Sequence, residues 1–150
     1  MRGDKVPVVE RLRSVLADCS LVRLAILFGS HASNAAHPGS DIDVGIIPRD
    51  PQLALTAELD LQARLERACG SFVDLVRLDR ASTLLRWEAA VNSVVLVASP
   101  PAEFPRFVAA AALEHADLMT TLGPAAERFR RSLIDSQSPS AVPAVQSSPR

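Results

Sequence analysis

Two short apolar segments, 24–28 and 42–47, flank a polar connection, and this arrangement constrains the fold more than any other feature of the chain. The first segment ends at Gly29 and the second at Pro48, so each is followed by a residue that interrupts regular structure. The continuous apolar run at 24–28 indicates a buried β-strand. At the second segment Asp41 and Asp43 alternate with apolar residues, which predicts a strand with one dry face and one charged face. Because the connection between them is short, a hairpin-like antiparallel pairing is favoured over a parallel one, which needs a longer crossover.

The other elements predict a mixed sheet backed by helices. Apolar positions spaced three and four residues apart predict a helix that begins at Pro7 and a second that runs from Pro51 toward Cys69, where Gly70 suits the C-cap. The apolar residues on or near one face of the second helix are Leu55, Leu59, Ala63 and Leu65. The later predicted elements are a strand at 72–76, a short helix at 82–87, a strand at 94–97, and helices at 103–122 and 125–134 separated at Gly123-Pro124. This order predicts an α/β or α+β fold with a small mixed β-sheet packed with helices.

The length of the chain predicts a single domain with one core. The 150 residues suffice for one domain, which we expect at 1–135, with its core at about 22–98 and C-terminal helices at 103–134. From 136 to 150 the composition shifts to Ser, Pro, Ala, Val and Gln, which predicts a disordered tail.

Charge and composition argue against several classes of partner. The chain carries 16 Lys and Arg against 17 Asp and Glu, a formal net charge of −1, and has no polybasic run, so binding to DNA is not expected. The first residues are too polar to begin a signal peptide, and no apolar run reaches membrane-spanning length, so no membrane association is expected. Cys19 and Cys69 fit neither a metal-ligand spacing nor a disulfide framework, which predicts a reduced, cytoplasmic setting.

Polar residues with a phosphate- and metal-binding character lie between the two apolar strands. Gly29-Ser30 forms a small-residue turn, which offers backbone N–H groups and a hydroxyl to an anion. Asp41 and Asp43 are two residues apart, so on a strand they project from the same side. Carboxylates this close repel each other unless a cation or a proton lies between them, and Mg²⁺ is commonly held by one or two Asp together with water and phosphates. The pattern predicts a metal-dependent site for a triphosphate.

A third acid, Asp74, lies inside an otherwise apolar strand. A carboxylate there is costly to bury, so taken alone it indicates a residue on the solvated face or one paired with a nearby Arg such as Arg77. Beside Asp41 and Asp43, however, it completes a set of three carboxylates that would hold two Mg²⁺ ions. One ion would activate an attacking hydroxyl and the other would stabilise a leaving pyrophosphate.

Together these residues resemble the nucleotidyltransferase motif of the DNA polymerase β superfamily. Gly29-Ser30 is followed, after ten residues, by Asp41-x-Asp43, and Asp74 lies in a later strand. The resemblance implies that Gly29 and Ser30 contact the triphosphate and that Asp41 and Asp43 ligate both metals. It implies that Asp74 ligates the catalytic metal and helps to deprotonate the acceptor hydroxyl, which attacks the α-phosphate of a nucleotide and releases pyrophosphate.

The stretch 72–81, followed by Leu84-Leu85-Arg86, closely resembles the minimal nucleotidyltransferase (MNT) branch of that superfamily. The similarity spans about 22–97 and implies a nucleotidyltransferase domain with a palm-like fold. Asn34 stands where the family often has Gly, and Asn is the residue after Gly that best tolerates the left-handed conformation, so we expect the turn to survive.

Stand-alone MNT proteins of this size typically resemble antitoxins paired with a HEPN-domain ribonuclease toxin, which they silence by adenylylating a Tyr hydroxyl and by binding. The leading prediction is therefore Mg²⁺-dependent transfer of AMP from ATP to a Tyr of a HEPN toxin. The chain contains no Tyr, so that acceptor must belong to a partner. Two alternatives stay open, a small-molecule nucleotidyltransferase of the antibiotic-modifying type and an antitoxin that only binds. The sequence is also compatible with a homo-oligomer.

Overall fold

Four helices and one four-stranded sheet make up the computed structural model, which describes residues 7–136. In chain order the elements are α1 (Val8–Ala17), β1 (Val22–Phe28), a 3₁₀ turn (Gly29–His31), β2 (Ile42–Pro48), α2 (Leu55–Cys69), β3 (Val73–Arg77), α3 (Thr83–Val91), β4 (Val94–Ala98) and α4 (Glu103–Ser136). The predicted class, a small mixed sheet packed with helices, is confirmed. The predicted tail lies outside the described residues except for Ser136, the last residue of α4.

The sheet has the strand order β3-β2-β1-β4. β1 pairs antiparallel with both β2 and β4, whereas β2 pairs parallel with β3. The hairpin-like pairing predicted for the first two strands is therefore confirmed. The parallel pair is connected through α2, which provides the crossover that parallel strands need.

The helices cover the two faces of the sheet in pairs. One core cluster joins the sheet to α1 and α2 through Leu12, Leu16, Leu61, Leu65 and Cys69. The other cluster joins the opposite face to α3 and the first part of α4 through Ala89, Ala90, Phe107 and Ala111. Successive side chains along each strand therefore alternate between two cores. We call the face of the sheet that packs against α3 and the first part of α4 the α3 face.

The predicted start and buried face of α2 are partly wrong. Pro51 lies in a turn, in which the Asp50 carboxylate accepts a hydrogen bond from the backbone N–H of Gln52 (2.8 Å), and the helix begins only at Leu55. Leu55 and Leu59 are 67% and 55% exposed. The apolar residues of α2 form two stripes, and both have the three- and four-residue spacing of a helix. The stripe that is buried against α1 and the sheet is the one with Leu61, Leu65 and Cys69.

The predicted break at Gly123-Pro124 is also wrong, because α4 is one helix with Pro124 inside it. Proline removes the N–H that would bond to the carbonyl of Thr120. This part of α4 is exposed, so water can hydrate the freed carbonyl. The Thr120 hydroxyl in turn donates to the carbonyl of Ala116 (2.9 Å), one helical turn earlier.

The contacts divide the chain into two compact units, one that extends to His115 and contains the sheet and one that begins at Ala116. The second unit is the later part of α4, where Met119, Leu122 and Phe129 are 43%, 48% and 66% exposed. Among the residues described, none of the helices combines the length and apolar character needed to cross a membrane.

Candidate active site

The turn after β1 requires glycine at its first position. Gly29 has a φ of 71°, in the left-handed region of backbone conformation that residues other than Gly rarely adopt. A Cβ at this position would overlap the carboxylate of Asp43, with only 3.2 Å to its Cγ. The carbonyl of Gly29 accepts hydrogen bonds from the backbone N–H groups of Ala32 (3.2 Å) and Ser33 (3.3 Å), which closes the turn. The predicted small-residue turn therefore brings the backbone directly against Asp43.

Asp43 and Asp74 are neighbours across the sheet. They are register partners in the parallel pair β2–β3. On its other side Asp43 pairs with Phe28, the last residue of β1 and the residue before Gly29. The end of β1 and the beginnings of β2 and β3 therefore meet at one end of the sheet, which brings the predicted turn and two of the predicted carboxylates together.

Both aspartates lie on the α3 face. The residues on either side of them in sequence pack into the core beneath α1 and α2; these are Ile42, Val44, Val73 and Leu75. Because successive strand residues point to opposite faces, Asp43 and Asp74 project away from that core. Asp74 is exposed on β3, an edge strand of the sheet, and Asp43 is half-buried on β2.

The Asp43 carboxyl is affected by burial and by several neighbouring charges. Burial raises the pKa of the Asp43 carboxyl above its usual value, the carboxylates of Asp74, Asp41 and Glu88 raise it further in that order, and His31 opposes the rise. Asp43 and Asp74 are thus neighbours in register, and Asp41, exposed just before β2, acts on Asp43 electrostatically. The structure adds a fourth carboxylate, Glu88, which the sequence analysis did not identify.

A small cavity lies beside the turn. It has a volume of about 230 Å³ and is lined by Gly29, Ser30, Ser33, Glu88 and Asn92. The last two were missed because the sequence predicts that the third helix ends near Trp87, whereas α3 continues to Val91. Asn92 follows the last residue of α3, and no local sequence pattern marks either residue as part of the site.

Two further residues hold the connection between β1 and β2. Asn34 has a φ of 58°, which confirms that Asn adopts the left-handed conformation where relatives often have Gly. His31 donates from Nε2 to the carbonyl oxygen of Ser40 (3.2 Å), just before the acidic pair. This hydrogen bond ties the turn after β1 to the residue before Asp41.

Arg77 does not pair with Asp74. Its guanidinium forms two hydrogen bonds to Asp79, at 2.8 Å and 2.7 Å, and pairs with Glu58 of α2. It also donates to the carbonyl of Pro51 (3.1 Å). The alternative interpretation of Asp74 as a partner of Arg77 is therefore wrong, and Asp74 remains available at the site.

A cavity beside the first part of α4 is not the candidate site. It has a volume of about 310 Å³ and is lined in part by Arg23, Arg86 and Glu103. Arg23 pairs with the buried Glu103 (2.9 Å), and Arg86 pairs with Glu114 (2.9 Å). These charges compensate one another, whereas the carboxylates around Asp43 have the same sign and need a cation.

The donor set at Asp43 fits Mg²⁺. Within residues 7–136 no group of three or more Asp, Glu, His or Cys is arranged to hold an ion by protein side chains alone. Mg²⁺ does not require such a cage, since it usually retains several waters and binds one or two carboxylates together with substrate phosphates. The mutual repulsion expressed in the raised pKa of Asp43 is what a divalent cation would relieve.

Comparison with known families agrees with this geometry. Residues 10–101 match the family described as Polymerase beta, Nucleotidyltransferase. The matched segment contains the turn, the three aspartates, Glu88 and Asn92. The chain belongs to the polymerase β nucleotidyltransferase family.

One curated protein of known activity is similar to part of the chain. The chain is 41% identical over 64 residues to the protein adenylyltransferase MntA of Shewanella oneidensis, and the match covers 43% of this chain and 45% of that protein. The similarity therefore spans less than half the length of the curated relative.

Solved structures share the fold over a larger part of the chain. A chain in the crystal structure of a toxin–antitoxin with AMP-PNP aligns with a TM-score of 0.70 at 25% identity, covering 81% of this chain and 98% of that one. A chain from a tri-AMPylated Shewanella oneidensis HEPN toxin in complex with an MNT antitoxin has the same fold, with a TM-score of 0.64 at 23% identity and coverage of 82% and 96%.

Proposed function

We propose that this chain is a Mg²⁺-dependent adenylyltransferase that moves AMP from ATP to a hydroxyl of a partner protein and so acts as an antitoxin. The observation that carries the proposal is the register pair Asp43–Asp74 on the α3 face beside the Gly29 turn. The names of the related proteins support the partner, a HEPN ribonuclease toxin. The acceptor that we propose is a Tyr hydroxyl, which must belong to the partner because this chain has no Tyr.

In this proposal the aspartates bind metal and the Gly29-Ser30 turn binds the triphosphate. Asp41, Asp43 and Asp74 would hold two Mg²⁺ ions. When bound, Mg²⁺ neutralises phosphate charge and lowers the cost of the charge that develops on the attacking and leaving oxygens. Gly29 and Ser30 bind the triphosphate at the turn, because the absent Cβ lets the backbone approach and the Ser30 hydroxyl lines the cavity.

Asp74 receives the proton of the acceptor. It is exposed on the edge strand β3, so a hydroxyl carried by a partner can approach it from solvent. The hydroxyl oxygen forms a bond to the α-phosphorus while its proton passes to the Asp74 carboxylate. The bond from the α-phosphorus to the oxygen bridging to the β-phosphate breaks, and pyrophosphate leaves.

The test is AMP transfer to a HEPN-domain partner that co-purifies with this chain. The purified chain and partner are incubated with ATP and Mg²⁺, and intact-mass spectrometry follows the addition of AMP to the partner. We expect AMP addition with the wild type and a loss of at least about hundredfold with Asp43→Asn. The variant would hold Mg²⁺ poorly, and loss of one group that stabilises charge in the transition state costs on that order. Asp60→Asn, an exposed residue of α2, is the matched control and should retain transfer.

Two results would contradict the proposal. Undiminished transfer by Asp43→Asn would show that the aspartates are not the site. Tight binding of the partner without any AMP addition by the wild type would show that the chain is a binding antitoxin.

A further inference from the structure

The cavity beside the Gly29 turn has an acidic wall that the three aspartates do not explain. It is lined by Gly29, Ser30 and Ser33 at the turn, by Glu88 of α3 and by Asn92, the residue that follows the end of α3. Glu88 and Asn92 are both exposed, so their side chains are accessible to a ligand in the cavity. The cavity therefore joins a surface suited to phosphate to a surface that presents a carboxylate and an amide.

Glu88 is an exposed hydrogen-bond acceptor that lines the cavity. Within residues 7–136 its carboxylate takes part in no hydrogen bond or ion pair, and it shares the cavity with Gly29, whose backbone lies against the Asp43 carboxylate. A carboxylate repels the triphosphate, so the groups of a nucleotide that it can bind directly are O–H and N–H donors. In a nucleotide these donors are the ribose hydroxyls and, for adenine, the exocyclic amine.

Proximity to Asp43 selects the ribose. Asp43 lies where the α-phosphate must be for transfer, and the ribose is the unit attached directly to that phosphate. The 3′ hydroxyl is separated from the ester oxygen of the α-phosphate only by C5′, C4′ and C3′, and the 2′ hydroxyl by one further carbon. The exocyclic amine lies at the far edge of the base, beyond the ribose.

We propose that Glu88, supported by Asn92, binds a ribose hydroxyl of the nucleotide and makes the site selective for ribonucleotides. This inference rests on the proposed function, because it places a nucleotide at the Gly29 turn. The carboxylate of Glu88 accepts the hydrogen bond. The amide of Asn92, which offers both a donor and an acceptor, serves the neighbouring hydroxyl.

The test measures nucleotide affinity without a partner. Isothermal titration calorimetry compares Mg²⁺ complexes of ATP, 2′-deoxy-ATP and 3′-deoxy-ATP in the wild type, Glu88→Gln, Glu88→Ala and the control Glu10→Ala. Glu10 is exposed on α1, which packs on the opposite face of the sheet. The two deoxynucleotides distinguish which hydroxyl is bound.

We expect the wild type to bind ATP about tenfold more tightly than one of the deoxynucleotides, the typical worth of a hydrogen bond to a charged group. Glu88→Ala should abolish this preference. Glu88→Gln should retain part of it, because the amide oxygen still accepts. Glu10→Ala should preserve it in full.

The contrary results are distinct from one another. If Glu88→Ala and Glu88→Gln raise the affinity for all three nucleotides by the same factor, Glu88 acts through its charge alone and the inference is wrong. Absence of a preference in the wild type also overturns it. A preference lost in Glu88→Ala, together with no AMP transfer to the partner, would uphold the ribose contact and refute the proposed function instead. Absence of any nucleotide binding would refute both.

Discussion

At position 29 the backbone conformation and the surrounding space impose the same requirement. The positive φ of Gly29 disfavours any side chain, and the Asp43 carboxylate occupies the volume that a Cβ would need. A substitution there strains the turn and also displaces a proposed metal ligand. The backbone strain can be separated from the displacement of Asp43, because a substitution at another glycine with a positive φ causes the strain alone.

We predict that Gly29→Ala lowers AMP transfer at least tenfold and lowers the free energy of unfolding by about 1–2 kcal/mol, the cost of a left-handed residue with a Cβ. Gly70→Ala is the matched control. Gly70 has a φ of 65° at the end of α2, but no atom lies within 4 Å of its added Cβ. Thermal unfolding and transfer assays should show a similar loss of stability in both variants and a loss of transfer only in Gly29→Ala. Equal losses of transfer would show that displacement of Asp43 is not the cause.

Among the secondary-structure elements, Arg77 ties the end of β3 to α2. Its side chain is only 9% exposed, and it binds Glu58, Asp79 and the carbonyl of Pro51. Burying a guanidinium is costly, so the arrangement is stable only while all these acceptors are present. β3 carries Asp74, and this cluster of ion pairs therefore supports the site from a distance.

We predict a pH-dependent loss of stability in Asp79→Asn. Hydrogen bonds from Arg77 hold the pKa of the Asp79 carboxyl below its ordinary value of 3.8. Since the folded-state pKa is lowered, the ionised carboxylate stabilises the fold above pH 3.8, and the contribution is lost as the pH falls through the lowered value. Near pH 7 the variant should lose about 1 kcal/mol, a figure reduced for partial exposure. Urea unfolding at several pH values would measure the difference from the wild type, which should shrink in acid.

The control for this prediction is a double-mutant cycle with Arg77→Met. In that background Asp79→Asn should change stability little at any pH, because its partner is gone. An unchanged effect of Asp79→Asn in the Arg77→Met background would contradict the pairing.

On the scale of the whole molecule, the site reduces the stability of the fold. Asp41 and Asp43 at the beginning of β2, Asp74 on β3 and Glu88 on α3 place charges of one sign at one end of the sheet. No single element creates this repulsion; it arises when strands and helix assemble. Under the proposed function, a cation that binds with the nucleotide relieves this repulsion.

We predict that Asp43→Asn abolishes transfer and yet stabilises the metal-free protein. Burial and the neighbouring carboxylates raise the pKa of Asp43 above 3.8. Stability therefore declines as the pH rises from 3.8 through the raised value, and Asn removes that decline. Thermal unfolding in EDTA at pH 7 should show a gain below about 1 kcal/mol, because solvent screens a partly exposed group. The gain should vanish in acid, and a loss of stability at pH 7 would contradict the repulsion.

Local sequence rules were enough to predict the strands and the Gly29-Ser30 turn and to single out the three aspartates as candidates. A period of two along a strand, a breaker at its end and a conspicuous acid in an apolar run can be recognised without knowledge of distant contacts. The left-handed conformation of Asn34 belongs to the same class, since it depends on the residue itself.

Which further side chains lie at the candidate site, and which do not, depends on the tertiary structure. Glu88 and Asn92 join it because α3 extends to Val91 and packs on the face from which Asp43 projects. Arg77 leaves it because α2 supplies Glu58 and the adjoining turn supplies a carbonyl. Both outcomes depend on contacts between residues far apart in the chain, and the spacing of residues along one segment carries no information about them.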